Sequence, residues 1–370
     1  MKKILFMIPD LSVGGAEKVL VNLVNNMDYL EFDISVLTLF SGGVNEMFLK
    51  PHIKLKSCFR RVFRGNSQIF KLFSPQKLFK IFIKEKYDII VSYLEGPTAR
   101  IVSGCTDVDT KLVSWIHIEQ HTKKLASYSF RSYKEAKLCY EKYNNTVCVS
   151  KYVKEDFKNI FDFNGKLDVL YNTVETNKII NLSKESINDF ILKSNEIKIC
   201  SVGKLTKNKG CHKLVRILKR LRESNLDVHL FFLGIGPEEE YLRNYAETNG
   251  LTSYITLLGY QTNPYKYIKK CDLLVCSSSA EGFSTAATEA LILGVPVCTV
   301  EVSGMKEMLG ENNEYGIVTE NSEDALYEGI KKMLTTPNML DDYSKKALER
   351  GKMFSTEKTV KAVEEMLLSL

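Results

Sequence analysis

The chain has 370 residues, of which 44% are hydrophobic, and carries 51 Lys and Arg against 45 Asp and Glu, a formal net charge of +6. This length and composition predict about two globular domains and exclude a disordered protein, a collagen and a small disulfide-stabilised scaffold. The charge is uneven, because residues 1–185 hold 28 basic and 20 acidic residues whereas residues 186–370 hold 23 and 25. The two halves are therefore expected to face different partners.

The N-terminus begins with a short apolar run, Ile4–Ile8, which Pro9 and Asp10 interrupt. A secretory signal needs about 7–15 apolar residues, so this run is interpreted as a buried strand. No stretch approaches the ~18 apolar residues that span a bilayer, and we expect a protein that is soluble or lies on a membrane surface. The nine cysteines include no CxxC pair, which favours free buried thiols in a reduced cytosol and argues against a zinc site.

Short apolar runs alternate with amphipathic helical patterns along the whole chain. In the first half the predicted strands are Lys3–Ile8, Asp33–Leu39, Ile53–Ser57, Asp88–Ser92, Lys111–His117, Thr146–Ser150 and Leu167–Leu170. In the second half they are Lys198–Val202, Val228–Leu233, Ile255–Leu258, Leu273–Cys276 and Val295–Val300. Continuous apolar runs are typical of strands buried on both faces of a parallel sheet. The alternation predicts the α/β class with doubly wound sheets.

The alternation pauses over residues 171–196, a polar stretch that we interpret as an inter-domain linker. One domain is placed at 1–180 and a second at 181–353, and a helix over about 354–370 can pack back onto the first. Two such domains are expected to form a cleft between the carboxyl edges of their sheets, where ligands of these sheets bind.

The turn after the first predicted strand holds Gly14 and Gly15, immediately before a helical pattern that begins near Ala16. Glycines let the backbone approach a ligand, and a helix N-terminus offers free N–H groups to an anion. The pattern is not GxGxxG, so it is not a dinucleotide fingerprint. The alternative is an ordinary turn between a strand and a helix.

A second loop, Ser201–Gly210, contains three lysines, of which Lys204 directly follows the strand and Lys209 precedes the next helix. Lysines at the carboxyl edge of a parallel strand are placed to neutralise a phosphate group. The alternative is a solvated lysine loop, which suits Lys207 better than Lys204. The later segment Leu233–Leu242 is interpreted as a helix start only, because its three glutamates would repel a phosphate.

The most informative motif is Ser277–Val297, in which Glu281 precedes a helix start at Gly282–Thr285 and Glu289 lies eight residues further along. Exposed N–H groups at the helix N-terminus could hold a diphosphate. Glu281 would then lie beside the attached group, and Glu289 beside a pair of sugar hydroxyls. The alternative is a capped amphipathic helix with incidental glutamates, but a phosphate-binding geometry next to two carboxylates favours a ligand site.

With these motifs, the sequence resembles the retaining GT-B glycosyltransferases of the group-1, family 4 type. The resemblance rests on GGAE at 14–17, YNTVE at 171–175, VGKLTKNKG at 202–210, EGFSTAATEAL at 281–291 and GVPV at 294–297. It implies two Rossmann-like domains of the GT-B fold that face each other across a cleft. The first domain would be the acceptor side, and the second would bind a nucleotide-sugar donor.

In the second half, the resemblance assigns the donor diphosphate to Lys204 and Lys209. The family usually has Arg at the first of these positions, so Lys204 replaces a bidentate fork with a point charge. The phosphates would also be held by backbone amides, which are those of Gly15, Gly282, Phe283, Ser284 and Thr285.

The resemblance further places Glu281 near the transferred sugar, Glu289 on the nucleotide ribose, and a histidine near the sugar from the end of a first-half strand. His117 directly ends a predicted strand and is preferred over His121. A structural role for this histidine is the alternative. The implied catalytic residues are therefore His117, Glu281 and Lys209.

The tripeptide Asp107-Val108-Asp109 has the DxD form that binds a metal ion in the other large glycosyltransferase fold. It lies in a polar turn before a strand, where Asp is common. We expect no metal ion and no other cofactor, because Lys204, Lys209 and a helix dipole can offset the diphosphate charge.

The stretch Lys50–Lys86 holds eleven Lys and Arg, one acidic residue, Glu85, and six phenylalanines. A basic amphipathic pattern attracts anionic headgroups while its apolar side enters the membrane interface. This favours an anionic membrane surface as partner over nucleic acid, for which no recognised motif is present. The alternative is a solvated face over a buried stripe of phenylalanines. We expect a cytoplasmic protein that is peripheral at the inner face of the cell membrane.

Together these features predict a retaining glycosyltransferase of the hexosyl or N-acetylhexosaminyl type. It would move a sugar from a nucleotide diphosphate, UDP by frequency in the family, to a glycan acceptor. That acceptor is expected to be lipid-linked, in the assembly of a surface polysaccharide such as a capsule or O-antigen. The alternatives are a nucleotide-sugar epimerase or hydrolase on the same fold and a non-catalytic binding module. A dehydrogenase is disfavoured, because no GxGxxG follows a strand.

Overall fold

The structure is a computed structural model that describes residues 1–12, 14–187, 196–279 and 282–370. It divides into two compact units. Unit 1 comprises Met1–Val174 and Thr356–Leu370, and unit 2 comprises Glu175–Ser355. The chain therefore enters unit 2 slightly before the boundary placed at residue 180, and it returns to unit 1 for its last helix.

Unit 1 is built on a parallel sheet. Its strands are β1 (Lys2–Ile8), β2 (Phe32–Phe40), β3 (Lys54–Phe59), β4 (Ile89–Ser92), β5 (Lys111–Ile116), β6 (Asn145–Cys148) and β7 (Leu167–Val169). They lie in the order β3-β2-β1-β4-β5-β6-β7. The helices between them are α1 (Gly15–Asn26), α2 (Asn66–Leu72), α3 (Pro75–Phe82), α4 (Pro97–Val102), α5 (Lys123–Ala126), α6 (Tyr133–Tyr140) and α7 (Lys151–Phe161).

Unit 2 repeats this plan with a second parallel sheet. Its helices are α8 (Thr176–Leu182), α9 (Cys211–Glu223), α10 (Glu239–Thr248), α11 (Tyr265–Ile268), α12 (Thr285–Leu293), α13 (Met305–Leu309), α14 (Glu323–Thr335) and α15 (Met339–Gly351). Its strands are β8 (Ile197–Val202), β9 (Val228–Leu233), β10 (Ile255–Leu257), β11 (Leu273–Cys276), β12 (Val297–Val300) and β13 (Ile317–Thr319). Their order is β10-β9-β8-β11-β12-β13.

The central strands of both sheets are buried because helices cover both of their faces. Strands β4, β11 and β12 are buried at every residue, and so is β1 from Ile4 onwards. The strands of each sheet pair in parallel, for example β1 with β4 and β8 with β11. The predicted α/β class, with two doubly wound sheets, is confirmed.

In both sheets the strand order reverses at one place, between β1 and β4 in unit 1 and between β8 and β11 in unit 2. Ligands of doubly wound sheets bind at such a switch point, outside the carboxyl ends of the strands. The loops that follow these four strands contain Gly14 and Gly15, Glu95, Lys204–Gly210 and Ser277–Ser284.

Two features of unit 2 differ from the predicted elements. The polar stretch at 171–196 contains α8, whose last turn is fastened to the unit because Asn263 Nδ2 donates hydrogen bonds to Leu182 O and Glu185 Oε2, both at 2.9 Å. Strand β13 was not predicted, because its apolar run is only Ile317 and Val318, which is too short to be distinguished from a loop. Residues 188–195 of the stretch lie outside the described residues.

The last helix of the chain, α16 (Thr356–Leu368), packs on unit 1. Its Glu364 Oε1 accepts a hydrogen bond from the N–H of Asp28 at 2.7 Å, and Lys2 Nζ donates to Leu367 O at 3.3 Å. Thr356 Oγ1 donates to Val174 O at 2.8 Å, where the chain first leaves the unit. The helix suggested for about 354–370 therefore corresponds to α16.

The helices and the cysteines bear on two expectations, which are that the chain has no membrane span and that its thiols are free. Within the described ranges, none of the helices combines the length and apolar content that crossing a bilayer requires. All nine cysteines are free thiols, and seven of them are buried, as the spacing of the cysteines predicts.

Candidate active site

The loop after β8 carries the lysines predicted to bind a diphosphate. Lys204 directly follows Gly203 and is exposed, whereas Lys209 ends a 3-10 turn and is half-buried. The stem of Lys209 runs beside Gly203, since a Cβ atom added to that glycine would lie 4.0 Å from Cδ and Cε of Lys209. Lys209 is therefore held at the carboxyl end of a strand that borders the switch point.

The lysine loop is fastened to the loop after β11. Gly210 has a φ of +70°, and a Cβ atom there would lie 2.1 Å from Ser277 O, so only glycine fits. Ser277 Oγ donates to Lys209 O at 2.8 Å, and the N–H of Ser279 donates to Asn208 O at 2.8 Å. Two motifs that are far apart in sequence thus form one hydrogen-bonded unit.

The second of these loops leads into α12. Ser284 is the N-cap residue, and its Oγ accepts a hydrogen bond from the N–H of Ala287 at 3.3 Å. The buried ring of Phe283 packs edge-on against Phe354 at a centroid distance of 5.5 Å, which fixes the start of the helix. The first-turn amides have no acceptor within the helix and form the positive end of its dipole. Gly282–Thr285 lie at this helix start, and phosphate binding by their amides stays a prediction.

Of the two glutamates of the predicted pair, the structure describes Glu289, which lies on α12 as predicted. Glu289 is in the middle of α12 and is 3% exposed. Its Oε1 accepts a hydrogen bond from the hydroxyl of Tyr265 at 3.3 Å. Tyr265 is a partner that no sequence motif indicates, although a buried carboxylate needs such donors. Glu281 lies outside the described residues.

The glycine loop of unit 1 leads into α1, which begins at Gly15. A Cβ atom on Gly14 would lie 2.0 Å from a carboxylate oxygen of Glu17, so this glycine makes room for the glutamate. The carboxylate of Glu17 suits the positive end of the helix dipole, but it also competes with any other anion there. The predicted contact of Gly15 with a phosphate stays a prediction.

His117 directly follows β5 and is 6% exposed. Its N–H donates to Glu95 Oε2 at 3.0 Å, and its ring lies 4.9 Å from the ring of Tyr93. Burial lowers the pKa of His117 to about 3, and a hydrogen bond with the backbone of Tyr93 opposes this shift only in part. The ring is therefore neutral at physiological pH. Its Nε2 is buried and has no hydrogen-bond partner among the described residues.

Glu95, in the loop after β4, is a candidate that the motif analysis missed. Burial raises the pKa of its carboxyl to about 7, and the N–H groups of His117 and of Glu95 itself lower it only in part. Within the described ranges, no cation pairs with this carboxylate. One signal could have indicated it, which is an acidic residue between a buried strand and the Gly96-Pro97 start of α4.

His121, the alternative to His117, is exposed and has a left-handed backbone, with φ of 58°. Its N–H donates to Asp156 Oδ1 at 3.2 Å. Glu119, His121 and Asp156 bring three potential ligand atoms within 4.8 Å of one another. Asp156 already accepts hydrogen bonds from the N–H groups of this loop, so the cluster has an explanation without a metal ion.

The aspartates of the DxD tripeptide form a turn that is neutralised by a lysine. Lys86 Nζ lies 3.1 Å from Asp107 Oδ2 and 3.6 Å from Asp109 Oδ2. Asp107 Oδ1 also accepts a hydrogen bond from the N–H of Asp109 at 3.1 Å. The hydrogen bond from Lys86 lowers the pKa of Asp107. Both carboxylates therefore have partners within a surface turn, and these contacts explain the two aspartates without a metal ion.

The stretch Lys50–Lys86 divides into a packed aromatic cluster and an exposed surface. The rings of the cluster pack at centroid distances of 5.2–6.3 Å, and they belong to Phe40, Phe59, Phe63, Phe70 and Phe82. These phenylalanines therefore pack on one another as the alternative predicted, although only Phe40 and Phe70 are fully buried. The apolar side chains that face solvent are instead Val62, Ile69, Leu72 and Ile81, of which Val62 and Leu72 are the most exposed at 65% and 76%.

We call the exposed part the basic surface, defined as Arg60, Arg61, Val62, Arg64, Lys71 and Leu72. Its three arginines are exposed and form no ion pair with any described residue. By contrast, Lys54 pairs with Asp33 at 2.6 Å, and Lys56 pairs with Glu85. The charge of the stretch that remains available to a partner is carried by the basic surface and by Lys77, Lys80 and Lys84, which are also exposed and form no ion pair with a described residue.

Two family models match the chain. The one described as Glycosyltransferase Family 4 covers residues 13–178, and the one described as Glycosyl transferases group 1 covers residues 183–350. Between them they span nearly all of both units. The chain therefore belongs to the group-1, family 4 glycosyltransferases, and the predicted family and enzyme class are confirmed.

Relatives of known name agree with this assignment. The chain is 27% identical over 385 residues to the N-acetylgalactosamine-N,N'-diacetylbacillosaminyl-diphospho-undecaprenol 4-alpha-N-acetylgalactosaminyltransferase of Campylobacter jejuni, with 100% of both chains covered. It is 29% identical over 144 residues to the putative colanic acid biosynthesis glycosyltransferase WcaL of Escherichia coli, which covers 36% of this chain and 35% of that protein.

Solved structures show the same fold over the whole chain. HepE of Anabaena, solved in complex with UDP, has a TM-score of 0.76 at 18% identity, with 100% of both chains covered. Sucrose-phosphate synthase of Thermosynechococcus elongatus has a TM-score of 0.78 at 15% identity, with 100% and 99% covered. At these identities the likeness establishes the fold, and the predicted GT-B fold is confirmed.

Proposed function

We propose that the protein transfers a hexosyl or N-acetylhexosaminyl group from a UDP-sugar to a lipid-linked glycan in surface-polysaccharide assembly, with retention of configuration. The observation that carries the proposal is the full-length similarity to the Campylobacter enzyme, whose name specifies N-acetylgalactosaminyl transfer to a glycan on diphospho-undecaprenol. The UDP bound in the HepE structure supports a uridine nucleotide as the donor.

In this proposal the donor diphosphate binds to unit 2. Lys204 and Lys209 neutralise its charge, and the amides of Gly282–Thr285 bind its oxygens at the start of α12. The support is that both loops follow strands at the switch point and are hydrogen-bonded to each other. Glu289 is assigned to the ribose and Glu281 to the transferred sugar, as in the family.

From unit 1, His117 and Gly15 are assigned to the sugar and to the phosphates. Transfer breaks the bond between the anomeric carbon and the diphosphate oxygen. It forms a bond from that carbon to an acceptor hydroxyl oxygen, whose proton leaves with the diphosphate. Negative charge grows on the departing diphosphate, so fixed cations and a helix dipole stabilise the transition state more than the bound substrate.

Positioning of the sugar by Glu281 and His117 supplies the remaining acceleration. We propose that the reaction requires neither a metal ion nor another cofactor, because the lysines and the helix start can offset the diphosphate charge. The ion pairs of Asp107 and Asp109 with Lys86 are consistent with this proposal.

A lipid-linked acceptor lies at a membrane, and we propose that the basic surface binds anionic lipid at the inner face of the cell membrane. Each Lys or Arg near such a surface contributes about 1 kcal/mol. The three arginines without ion-pair partners, with Val62 exposed between them, have the chemistry for this contact. This places the protein in the cytoplasm, peripheral to the membrane.

The donor can be identified by thermal shift with a panel of UDP-, GDP- and ADP-sugars. A ligand at 100 times its Kd stabilises the folded protein by about 2.7 kcal/mol. We expect the largest shift with a UDP-sugar. Equal shifts with all three nucleotides would contradict the choice of uridine.

The reaction is then tested by incubating the best donor with a polyprenyl-diphosphate-linked N-acetylhexosamine. We expect mass spectrometry to show one added sugar and nuclear magnetic resonance to show the anomeric configuration of the donor. Turnover of the donor without any acceptor would instead identify an epimerase or hydrolase. An inverted product would contradict the retaining assignment while leaving the glycosyltransferase class intact.

A further inference from the structure

We propose that Glu95 is a substrate-binding residue of unit 1, whose carboxylate, together with Nε2 of His117, accepts hydrogen bonds from hydroxyl groups of a sugar. The inference rests on the proposed function, because it specifies which side chains of the enzyme contact the sugar. It also goes beyond that function, since Glu95 belongs to none of the motifs that carry the family resemblance.

The position of Glu95 is the first argument. It follows β4, one of the two strands at the switch point of the first sheet, and His117 follows the neighbouring strand β5. The 3.0 Å hydrogen bond from the N–H of His117 to Glu95 Oε2 fastens the two loops together. Both side chains therefore lie at the carboxyl edge, where ligands of such sheets bind.

The second argument is that nothing described in the protein neutralises this carboxylate. Three titratable groups face it from other elements: His117 after β5, Tyr140 on α6 and Cys148 on β6. Burial lowers the pKa of His117 to about 3, raises that of Cys148 to about 12 and raises that of Tyr140 far above its usual value. All three are therefore neutral near pH 7, and none supplies a positive charge.

Glu95 is half-buried, and a carboxyl group that is removed from water in this way without a cation lowers stability. Groups held in this way cluster at functional sites. Nε2 of His117 points to the same conclusion, since it is a buried polar atom without a partner in the described ranges. Buried polar atoms without partners are rare in native proteins. A buried acceptor without a partner, next to a carboxylate without a cation, indicates a ligand that supplies hydrogen-bond donors to both.

The chemistry of the two groups selects the ligand. Because Nε2 has no partner, we assign the hydrogen bond with the Tyr93 backbone to Nδ1, and Nε2 of the neutral ring is then a hydrogen-bond acceptor. An ionised Glu95 is an acceptor as well. Two acceptors repel a phosphate but accept O–H groups, of which a sugar carries several. These hydroxyls can belong to the transferred sugar or to the acceptor sugar.

The test compares wild-type enzyme, Glu95→Gln and the control Glu141→Gln, which removes an exposed carboxylate at the end of α6 in the same unit. KM and kcat are measured for the UDP-sugar and for the polyprenyl-diphosphate-linked acceptor between about pH 6 and pH 9. Thermal unfolding is recorded for each protein over the same range.

We expect Glu95→Gln to lower kcat/KM at least about tenfold at high pH, because the amide replaces one acceptor with a donor. Its melting temperature should not fall, whereas a merely structural glutamate would lower it. In the wild type, the affected KM should rise as pH falls below about 7, and the variant should lack this dependence. A change confined to the donor KM identifies the transferred sugar, and one confined to the acceptor KM identifies the acceptor.

A Glu95→Gln enzyme with wild-type kcat/KM and an unchanged pH profile would overturn the inference while the proposed function stands. A wild-type enzyme that transfers no sugar from any donor would overturn the proposed function, and the inference with it. The two failures are therefore distinguishable, because only the second affects the wild-type protein.

Discussion

Unit 1 and unit 2 place different side chains at the same topological position. Where the order of the second sheet reverses, unit 2 has Lys204, Lys209 and the start of α12. Where the first sheet reverses, unit 1 has Glu17 next to Gly14 in its glycine loop and Glu95 half-buried without a cation. The shared strand order supplies a ligand edge in each unit, and the loops decide its chemistry. The side chains at the edge in unit 2 suit an anion, and those at the edge in unit 1 suit hydroxyl groups.

The largest effect on the free energy of unfolding is expected at a buried arginine of unit 1 that pairs with a glutamate. Arg100 is 1% exposed, binds Glu135 through two nitrogens at 2.9–3.0 Å, and donates to Phe70 O and Phe73 O. Arg100→Ala leaves these acceptors unpaired and should lower the free energy of unfolding by about 3–5 kcal/mol. Urea denaturation measures this loss. Arg131→Ala, at an exposed arginine nearby, is the control, and an equal loss there would contradict the account.

In unit 2, Lys209→Ala should reduce kcat/KM for sugar transfer by about a hundred- to a thousandfold, because it removes a fixed cation from the departing diphosphate. Lys207→Ala, at an exposed lysine on the same 3-10 turn, is the matched control and should stay within about twofold. Glu281→Ala is expected to abolish transfer as well. Full activity in Lys209→Ala or Glu281→Ala would contradict the assignment of the donor site.

The buried carboxyl of Glu95 predicts a pH-dependent stability. Its folded pKa of about 7 lies above the reference value of 4.5, so the wild type loses stability as pH rises between these values. Relative to wild type, Glu95→Gln should therefore gain up to about 3 kcal/mol in unfolding free energy between acidic and alkaline pH. Urea denaturation at both ends of this range measures the difference. A difference that does not change with pH, as expected for Glu141→Gln, would contradict the prediction.

The smallest effect per residue is expected at the basic surface. Changing Arg60, Arg61 and Arg64 to Ala should each remove about 1 kcal/mol of binding to vesicles with an anionic phospholipid. Sedimentation with anionic and neutral vesicles measures it, and added salt should weaken the wild-type binding. The control is a triple variant at exposed lysines of unit 2, namely Lys270, Lys332 and Lys345 changed to Ala. Equal binding by both triple variants would contradict this role.

Features of the structure that depend on residues close together in the sequence could be predicted, and features that depend on distant residues could not. Strands such as β9 and β11 were predicted at their observed bounds, because burial on both faces selects continuous apolar runs. A helix start within Gly282–Thr285 was predicted as well, because helix starts have local sequence signals, and α12 begins at Thr285. Strand β13 was missed, because only Ile317 and Val318 form its apolar run.

The tertiary contacts of the site could not be predicted in this way. Ser277 and Lys209 are 68 positions apart, and Tyr265 meets Glu289 across 24 positions. No sequence motif indicates Glu95, because its significance lies in partial burial without a cation, which only the folded chain shows. The phenylalanines of the Lys50–Lys86 stretch were assigned to the membrane for the same reason, since a periodic pattern does not show what a face packs against.

The comparison between the two edges is tested most directly by titrating UDP into wild-type protein, Lys209→Ala and Glu95→Gln in a calorimeter. UDP carries the diphosphate but no transferred sugar. The account predicts that Lys209→Ala weakens UDP binding at least about tenfold, whereas Glu95→Gln binds UDP with the wild-type Kd. Weakened binding in Glu95→Gln together with unchanged binding in Lys209→Ala would contradict the assignment of the diphosphate to unit 2.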